Sequence, residues 1–170
     1  GQHFQVVNPE NDERFKETWQ EYYQIMRRKG VSPDDAKAAV RSSATLIGAM
    51  LVRRGDADAL ICGAIGRYKD HLKHVNNVIG KRDDASIFAA MNLLPMQNRT
   101  LFISDSYVNY NPSAEEIAEI TLMAADEVKR FGLIPKVALI SHSNFGTENH
   151  LSATKMSDAL DIIEKLAPDL

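Results

Sequence analysis

Short, continuously apolar segments alternate with helix-length segments along this chain, and this alternation constrains the fold more than any other feature. Two of the apolar segments are "ADALICGA", residues 57–64, and "KVALISHS", residues 136–143. Segments of this length and composition are typical of central strands that helices cover on both faces. The sequence therefore predicts a layered α/β protein with a largely parallel sheet.

Apolar periodicity and capping residues predict helices between these segments. The first runs from Asp12 to Lys29 and is stopped by Gly30. The second starts at the capping residue Ser32 and is predicted to continue as one long helix to Gly55. Further helices are predicted over residues 67–80, 113–130 and 152–166, and a capping-box pattern opens the helix at 113–130.

Two more strands, in "SIFAAMNLL" and "TLFISDS", are separated by "PMQNR", which has the length of a hairpin loop. A short strand is also predicted in "FQVVNPEN" near the beginning of the chain. The charged stretch "KRDDA" lacks periodicity and indicates a boundary between two lobes. We place residues 1–84 in the first lobe and residues 85–170 in the second.

Composition excludes several classes of protein. The formal net charge of −3 argues against a nucleic-acid-binding surface. No apolar stretch reaches the roughly 18–20 residues that span a bilayer, so no membrane partner is expected. The single cysteine, Cys62, excludes an internal disulfide, is expected in a buried strand and suits a reducing cytosol. We expect a cytoplasmic location, and the start "GQHFQVV", without methionine, suggests a piece of a longer protein.

The loop in "CGAIGRY" follows a predicted strand, and open parallel sheets bind ligands at such strand ends. Gly63 and Gly66 would let the backbone approach a ligand closely. Arg67, Lys69 and Lys73 would meet phosphate charge. A tight turn followed by a solvated basic helix face explains the same residues, and spacing alone favours that simpler interpretation.

The loop in "LISHSNFG" is richer in polar groups and contains Ser141, His142, Ser143, Asn144 and Gly146. Gly146 leaves room for backbone donors to an anion. The neighbours Ser141 and His142 suggest a nucleophile and its base. Adjacent residues at a strand end point to opposite sides, however, and a catalytic triad does not allow that. We expect a polar ligand-binding loop with no catalytic residue.

Two smaller groups have competing interpretations. Asp105 follows the strand "TLFIS" and is either a base or acceptor, or a turn residue bonded with Ser104 and Ser106. His71 and His74 lie one helical turn apart, a spacing that also serves metals. Because no third ligand is evident, we expect two exposed histidines and no metal site.

Several longer segments carry a family resemblance: "VVNPENDERF", "YYQIMRRKGVSPDDA", "ATLIGAMLVRRGDADALICGAIGRY", "VNYNPSAEEIAEITLMAADEVKRFGLIPKVALISHSNFG" and "SATKMSDAL". Together they resemble the phosphate acetyl/butyryltransferase family over essentially the whole chain. More closely, they are similar to the phosphotransacetylase-like C-terminal domain of large bacterial NADP-dependent malic enzymes. The resemblance implies a three-layer α/β/α fold with two lobes, the first of them incomplete here. It also implies a coenzyme A cleft between the lobes and dimers formed through the second lobe.

The resemblance further implies that the transfer chemistry is lost. Family transferases carry an arginine where this chain has Lys73, and their serine–arginine and aspartate motif lies beyond "EKLAPDL". A cationic cleft for an acyl-CoA effector is expected to survive. By resemblance, the effector site comprises Gly63, Gly66, Arg67, Tyr68, Lys73, Asp105, Ser141, Ser143, Asn144 and Gly146. Arg67, Tyr68 and Lys73 would meet the phosphates or adenine of acetyl-CoA. The thioester end would be lined by Ser141, Ser143, Asn144 and Gly146, which we call the serine loop.

The function implied is that of a regulatory, acetyl-CoA-binding and dimerising domain. Its parent would oxidatively decarboxylate malate to pyruvate and CO₂, would bind NADP and a divalent metal in its catalytic domain, and would form a larger homo-oligomer. Two alternatives stay open. One is an active phosphate acyltransferase that moves acyl groups between coenzyme A and phosphate, and the other is a purely structural oligomerisation domain.

Overall fold

The computed structural model describes residues 6–9, 11–144 and 147–170 of the chain. It divides into two compact units, Gly1–Gly80 (the first unit) and Lys81–Leu170 (the second unit). Each unit has its own buried side chains. The assignment of residues 1–84 and 85–170 to parts of two lobes stays a prediction. No helix among the described residues is long and apolar enough to cross a bilayer.

The described part of the first unit is helical. Its helices are α1 (Phe15–Met26), α2 (Pro33–Ser42), α3 (Ala44–Arg54) and α4 (Tyr68–Val78). Helix α1 packs on α2, and α3 packs on α4. The largest fully buried side chains are Leu46, Met50, Val40 and Val78. Full burial of an apolar side chain of this size stabilises a fold by about 1.5–3 kcal/mol, so these residues form the centre of this unit.

Helix α1 confirms the first predicted helix, with a refined end. Tyr22 and Met26, two of its predicted inward residues, are buried, and Phe15 and Trp19 pack partly buried against the same core. The last turn tightens into a 3₁₀ turn, Arg27–Lys29, before Gly30 adopts a left-handed φ of 85°. Glycine enters this conformation without the steric cost that a Cβ imposes, which explains the stop.

The single long helix predicted from Ser32 to Gly55 is wrong, because the chain breaks at Ser43. Ser43 is extended, with φ −126° and ψ 102°, and its side chain accepts a hydrogen bond from the Leu46 amide as the cap of α3. Serine side chains compete with the helical backbone in this way and favour caps. The break turns one helix into the pair α2 and α3.

The described part of the second unit contains a hairpin and two helices. Its elements are β1 (Met91–Pro95), β2 (Thr100–Ser104), α5 (Ala114–Arg130) and α6 (Leu151–Leu166). Strands β1 and β2 are antiparallel, with Met91 opposite Ser104 and Pro95 opposite Thr100. The predicted hairpin is therefore confirmed, as are the two helices. Helix α5 starts at the predicted capping box, where Ser113 and Glu116 bond reciprocally, and it packs against α6 and β2.

The strands predicted at residues 57–64 and 136–143 are not formed, and the sheet of the described residues is antiparallel and two-stranded. A strand requires a hydrogen-bonded neighbour, and no described residue pairs with either segment. Several of their apolar side chains are consequently exposed, with Ile61 at 100% and Ile140 at 79%. Cys62 is likewise exposed, contrary to the prediction. The strand predicted in "FQVVNPEN" lies partly outside the described residues, and residues 6–9 do not form one.

Candidate functional site

The loop between residues 57–62 and α4 has an unusual backbone. Gly63, Ala64 and Gly66 have φ values of 129°, 67° and 101°. Only glycine enters such conformations freely, and a non-glycine residue there stores strain. Every residue from 61 to 70 is exposed, so the backbone of this loop is accessible to a ligand. We call residues 63–66 the glycine loop.

The basic residues predicted for phosphate binding lie at the start of α4 and along it. Arg67 is the N-cap residue of α4, with an extended backbone and no side-chain cap. Lys69 and Lys73 are one turn apart and exposed, so they share a face of the helix. Tyr68 begins the helix and is 43% exposed. A helix N-terminus next to cationic side chains attracts anions, so this end of α4 is electrostatically suited to phosphate.

His71 holds the glycine loop, a role that sequence reasoning missed. Its Nε2 lies 2.9 Å from the carbonyl oxygen of Ile65. Its Nδ1 lies 2.7 Å from the hydroxyl of Thr45, a buried residue of α3. The expectation of an exposed His71 was wrong, because the ring is partly buried between two elements. No sequence signal connects residues 26 positions apart.

His74 is also partly buried, against expectation, and its buried Nδ1 has no hydrogen-bond partner among the described atoms. Burial lowers the pKa of His74 below its ordinary value of 6.5, and electrostatic interactions with Lys73 and His71 lower it further. Asp70 opposes this effect. His74 is therefore held towards its neutral form.

The predicted serine loop of the second unit is held by local hydrogen bonds. The Ser141 hydroxyl accepts from the Ser143 amide at 3.2 Å, and the Ser143 hydroxyl accepts from the Glu148 amide at 3.1 Å. Both serines are partly buried, while Asn144 is exposed. Gly146 lies outside the described residues. The loop presents polar groups, as a ligand-binding loop would.

The histidine of this loop does not activate a neighbouring serine. His142 Nδ1 lies 3.3 Å from the hydroxyl of Ser152, and its ring contacts that of His150 in a tilted arrangement, with the ring centroids 5.4 Å apart. No hydrogen bond joins His142 to Ser141 among the described residues. The geometry that nucleophilic serine catalysis requires is therefore not formed at Ser141.

Asp105 is fully engaged by local donors. Its carboxylate accepts from the Ala90 amide at 3.1 Å, from the Asn109 amide at 2.9 Å and from the Asn109 side chain at 2.6 Å. These bonds connect the end of β2 to the segment before β1 and to the following loop. Asp105 thus acts as a structural hydrogen-bond acceptor, as the turn interpretation expected, although its partners are Ala90 and Asn109 and not the neighbouring serines.

The predicted residues fall into two groups. The glycine loop with Arg67, Tyr68 and Lys73 belongs to the first unit, and Asp105 with the serine loop belongs to the second. Within the part of the chain that the structure describes, no three His, Cys, Asp or Glu side chains are grouped to hold a metal ion. The chemistry that both groups offer is noncovalent: cations, backbone donors and hydroxyls.

The fold and this set of groups define the class of protein. Residues 1–170 match the family described as phosphate acetyl/butaryl transferase, and the chain belongs to that family. Among solved structures, the EutD phosphotransacetylase from Staphylococcus aureus is similar over 98% of this chain and 50% of that one, with a TM-score of 0.80 and 23% identity. The chain therefore has a phosphotransacetylase fold.

Curated relatives that are 45–52% identical to this chain are malic enzymes. The chain is 52% identical over 170 residues to the NADP-dependent malic enzyme of Escherichia coli (strain K12), and covers 22% of that protein. It is 50% identical over 167 residues to the NAD-dependent malic enzyme of Rhizobium meliloti (strain 1021), again covering 22%. The chain thus spans about a fifth of the length of these curated relatives.

Proposed function

We propose that this chain is a regulatory, acetyl-CoA-binding part of an NADP-dependent malic enzyme. The names of the relatives support the choice of parent, and their greater length supports a chain that works within a larger polypeptide. The whole protein would oxidatively decarboxylate malate to pyruvate and CO₂. NADP and a divalent metal would bind in the catalytic domain of the parent, because this chain matches the phosphate acetyl/butaryl transferase family.

One observation carries the binding part of the proposal: an accessible, glycine-rich loop opens directly into the cationic start of a helix. Gly63 and Gly66 are exposed and carry no Cβ that would keep a ligand from the loop backbone, and Arg67 and Lys73 follow at the start of α4 and along it. The 3′-phosphate and pyrophosphate of coenzyme A are anions that backbone donors and cations recognise together. Tyr68, partly exposed beside them, offers a ring on which adenine can stack.

The serine loop is proposed as the second part of the effector site. The hydroxyls of Ser141 and Ser143, the amide of Asn144 and the backbone at Gly146 would line the thioester end. Asp105 would contribute by holding the loop after β2, because its carboxylate already accepts hydrogen bonds from the Ala90 amide and from the backbone and side chain of Asn109. Neutral hydrogen-bonding groups suit an uncharged thioester carbonyl.

The complete fold is proposed to have three layers, largely parallel sheets and two lobes with a cleft. Its support is a gap of about 720 Å³ within the second unit, lined by β2, by α5 and by residues 133–140. Residues 134–140 are mostly apolar and make no backbone–backbone hydrogen bond among the described residues, and Ile134 is 89% exposed. An unpaired, mostly apolar segment beside β2 is what a sheet lacking a strand leaves behind. A strand of the parent would fill the gap.

Dimerisation through the second lobe is also proposed. Leu94 and Leu101 face each other across the hairpin, and Ile103 lies on the same face. These side chains are 43%, 39% and 44% exposed. The opposite face carries Phe102, which contacts Phe131 at the end of α5. An exposed apolar sheet face supports an interface in the assembled homo-oligomer.

Isothermal titration of acetyl-CoA tests the binding proposal, on this chain and on the full-length parent. Lys73→Ala should weaken binding about tenfold, the loss expected when a charge-assisted contact of about 1.4 kcal/mol is removed. Lys16→Ala makes the same charge change on an exposed residue of α1 and should bind as the wild type. Equal affinity of both variants would remove Lys73 from the site. Lack of binding in the wild type would favour a structural oligomerisation domain.

An active phosphate acyltransferase is the second candidate, and the phosphotransacetylase fold favours it. The assay is formation of acetyl-CoA from acetyl phosphate and coenzyme A by the full-length protein. We expect no turnover above the uncatalysed reaction, because the serine loop holds no activated nucleophile and Lys73 replaces an arginine fork. Turnover that depends on Lys73 would reverse this preference.

A further inference from the structure

We propose that His71, oriented by Thr45, is a positioning residue that fixes the glycine loop in its ligand-binding conformation. This inference rests on the proposed function, because it concerns the same loop. Neither residue belongs to the predicted effector site. Their hydrogen bonds connect the loop to the buried side of α3, and we call this arrangement the Thr45–His71 clamp.

The glycine loop has few other restraints. From residue 57 to residue 66, no backbone–backbone hydrogen bond forms among the described residues. Leu60 anchors the segment before the loop, because its side chain packs directly against Gly48, where a Cβ would overlap it. After Leu60, the hydrogen bond from His71 to the Ile65 carbonyl is the contact that holds the loop backbone. Without it, Ala64, with φ 67°, would return to a less strained conformation, and the two glycines would be free to leave theirs.

The hydrogen-bond chemistry determines how the ring is held. A carbonyl oxygen can only accept, so Nε2 of His71 carries a proton and donates to Ile65. In the neutral ring, Nδ1 is then an acceptor, and the Thr45 hydroxyl donates to it. Thr45 thereby selects the tautomer that the loop requires. A hydroxyl at position 45 is needed, whereas the methyl group is not.

Gly66 is fitted to the same ring. A Cβ at Gly66 would lie 3.1 Å from Nε2 of His71, closer than ordinary van der Waals contact. The imidazole therefore occupies the space beside the loop that a side chain would fill. The contact thus depends on both residues, because the absence of a Cβ at Gly66 lets the His71 ring reach the Ile65 carbonyl.

The clamp begins in the buried interior of the first unit. Thr45 is 6% exposed and adjoins Leu46, which is fully buried. A ligand that contacts a preformed loop avoids the entropic cost of ordering it. Affinity should therefore depend on Thr45 even though the proposed ligand does not touch it.

The test compares two substitutions at one position. Thr45→Val keeps the shape and removes the hydroxyl, whereas Thr45→Ser keeps the hydroxyl. Acetyl-CoA titration should show about a tenfold loss for Thr45→Val and a change within about twofold for Thr45→Ser. His71→Leu should lose affinity like Thr45→Val, and Asn76→Ala, an exposed change on α4, should not.

Backbone ¹⁵N order parameters of residues 63–66 supply a readout that needs no ligand. They should fall from about 0.85, typical of ordered backbone, towards about 0.6 in Thr45→Val and stay at the wild-type values in Thr45→Ser. Wild-type order parameters in Thr45→Val would overturn the clamp, and so would acetyl-CoA affinity in Thr45→Val equal to that of a wild type that binds. If the wild type binds no acetyl-CoA, the proposed function fails while lowered order parameters in Thr45→Val still establish the clamp.

Discussion

The carboxylate of Glu21 accepts a hydrogen bond from Arg54 at 2.7 Å, which joins α1 to the last residue of α3. The same guanidinium donates to the buried hydroxyl of Thr18 at 3.1 Å. The Arg54 side chain is only 19% exposed and that of Glu21 is 38% exposed, so this pair is partly shielded from solvent. This ion pair connects α1 to α3, and no signal in the nearby sequence predicts that contact.

Arg54→Ala is therefore expected to destabilise the first unit by about 1–2 kcal/mol, since it leaves Glu21 and Thr18 without their donor. Chemical denaturation followed by the fluorescence of Trp19 measures the effect. Arg28→Ala, at an exposed position, should change stability by less than about 0.5 kcal/mol. Equal effects of the two substitutions would show that the Arg54 contacts contribute nothing.

Gly66→Ala should reduce acetyl-CoA affinity about tenfold or more, because the new Cβ meets His71 and φ is 101°. Gly55→Ala is the matched control: φ there is 79°, and nothing lies within 4 Å of the new Cβ. It should cost about 1 kcal/mol of stability through backbone strain alone. Titration and thermal unfolding of both variants separate the two effects. Loss of affinity in Gly55→Ala would indicate general destabilisation.

The lowered pKa of His74 predicts a dependence of stability on pH. Because the folded state disfavours the proton, the unfolded state binds it more tightly. The stability that the neutral ring confers is present above the ordinary pKa of 6.5 and is lost as the pH falls through the lower folded value. Denaturation midpoints at pH 7.5 and 5.5 should differ less in His74→Leu than in the wild type. An unchanged difference would contradict this assignment.

Asp105→Asn should destabilise the second unit by about 1–3 kcal/mol, because an amide donor would face the amides that now bind the carboxylate. Asp126→Asn, on an exposed residue paired with Lys129, should cost less than about 0.5 kcal/mol. Hydrogen exchange of α5 measures both. If Asp105→Asn were as mild as the control, the bonds to Ala90 and Asn109 would not hold the loop.

Sequence reasoning located most helices and the hairpin. The box of Ser113 and Glu116, the stop at Gly30 and the length of the loop between β1 and β2 are local signals, and each was confirmed. The break at Ser43 was missed because a serine suits a cap and a solvent-facing helix position alike, so its neighbours decide between them.

The predicted effector residues were chosen by residue type and by resemblance. Those of the glycine loop are exposed, which agrees with a binding role. The hydrogen-bond partners of Ser141 and His142 could not be predicted from sequence. They are Ser143 and Ser152, and both contacts depend on how the loop turns. His71 was placed on the correct helix but in the wrong environment.

The amino-acid sequence by itself determined where the helices and the hairpin form, because caps, periodicity and turn length act within a few residues. It also determined family membership, through segments that extend along the whole chain. Only the tertiary structure decided that Thr45 reaches His71, that Arg54 reaches Glu21, and that residues 57–64 and 136–143 have no strand partner among the described residues. Such contacts depend on the packing of elements distant in sequence, and no local propensity specifies them.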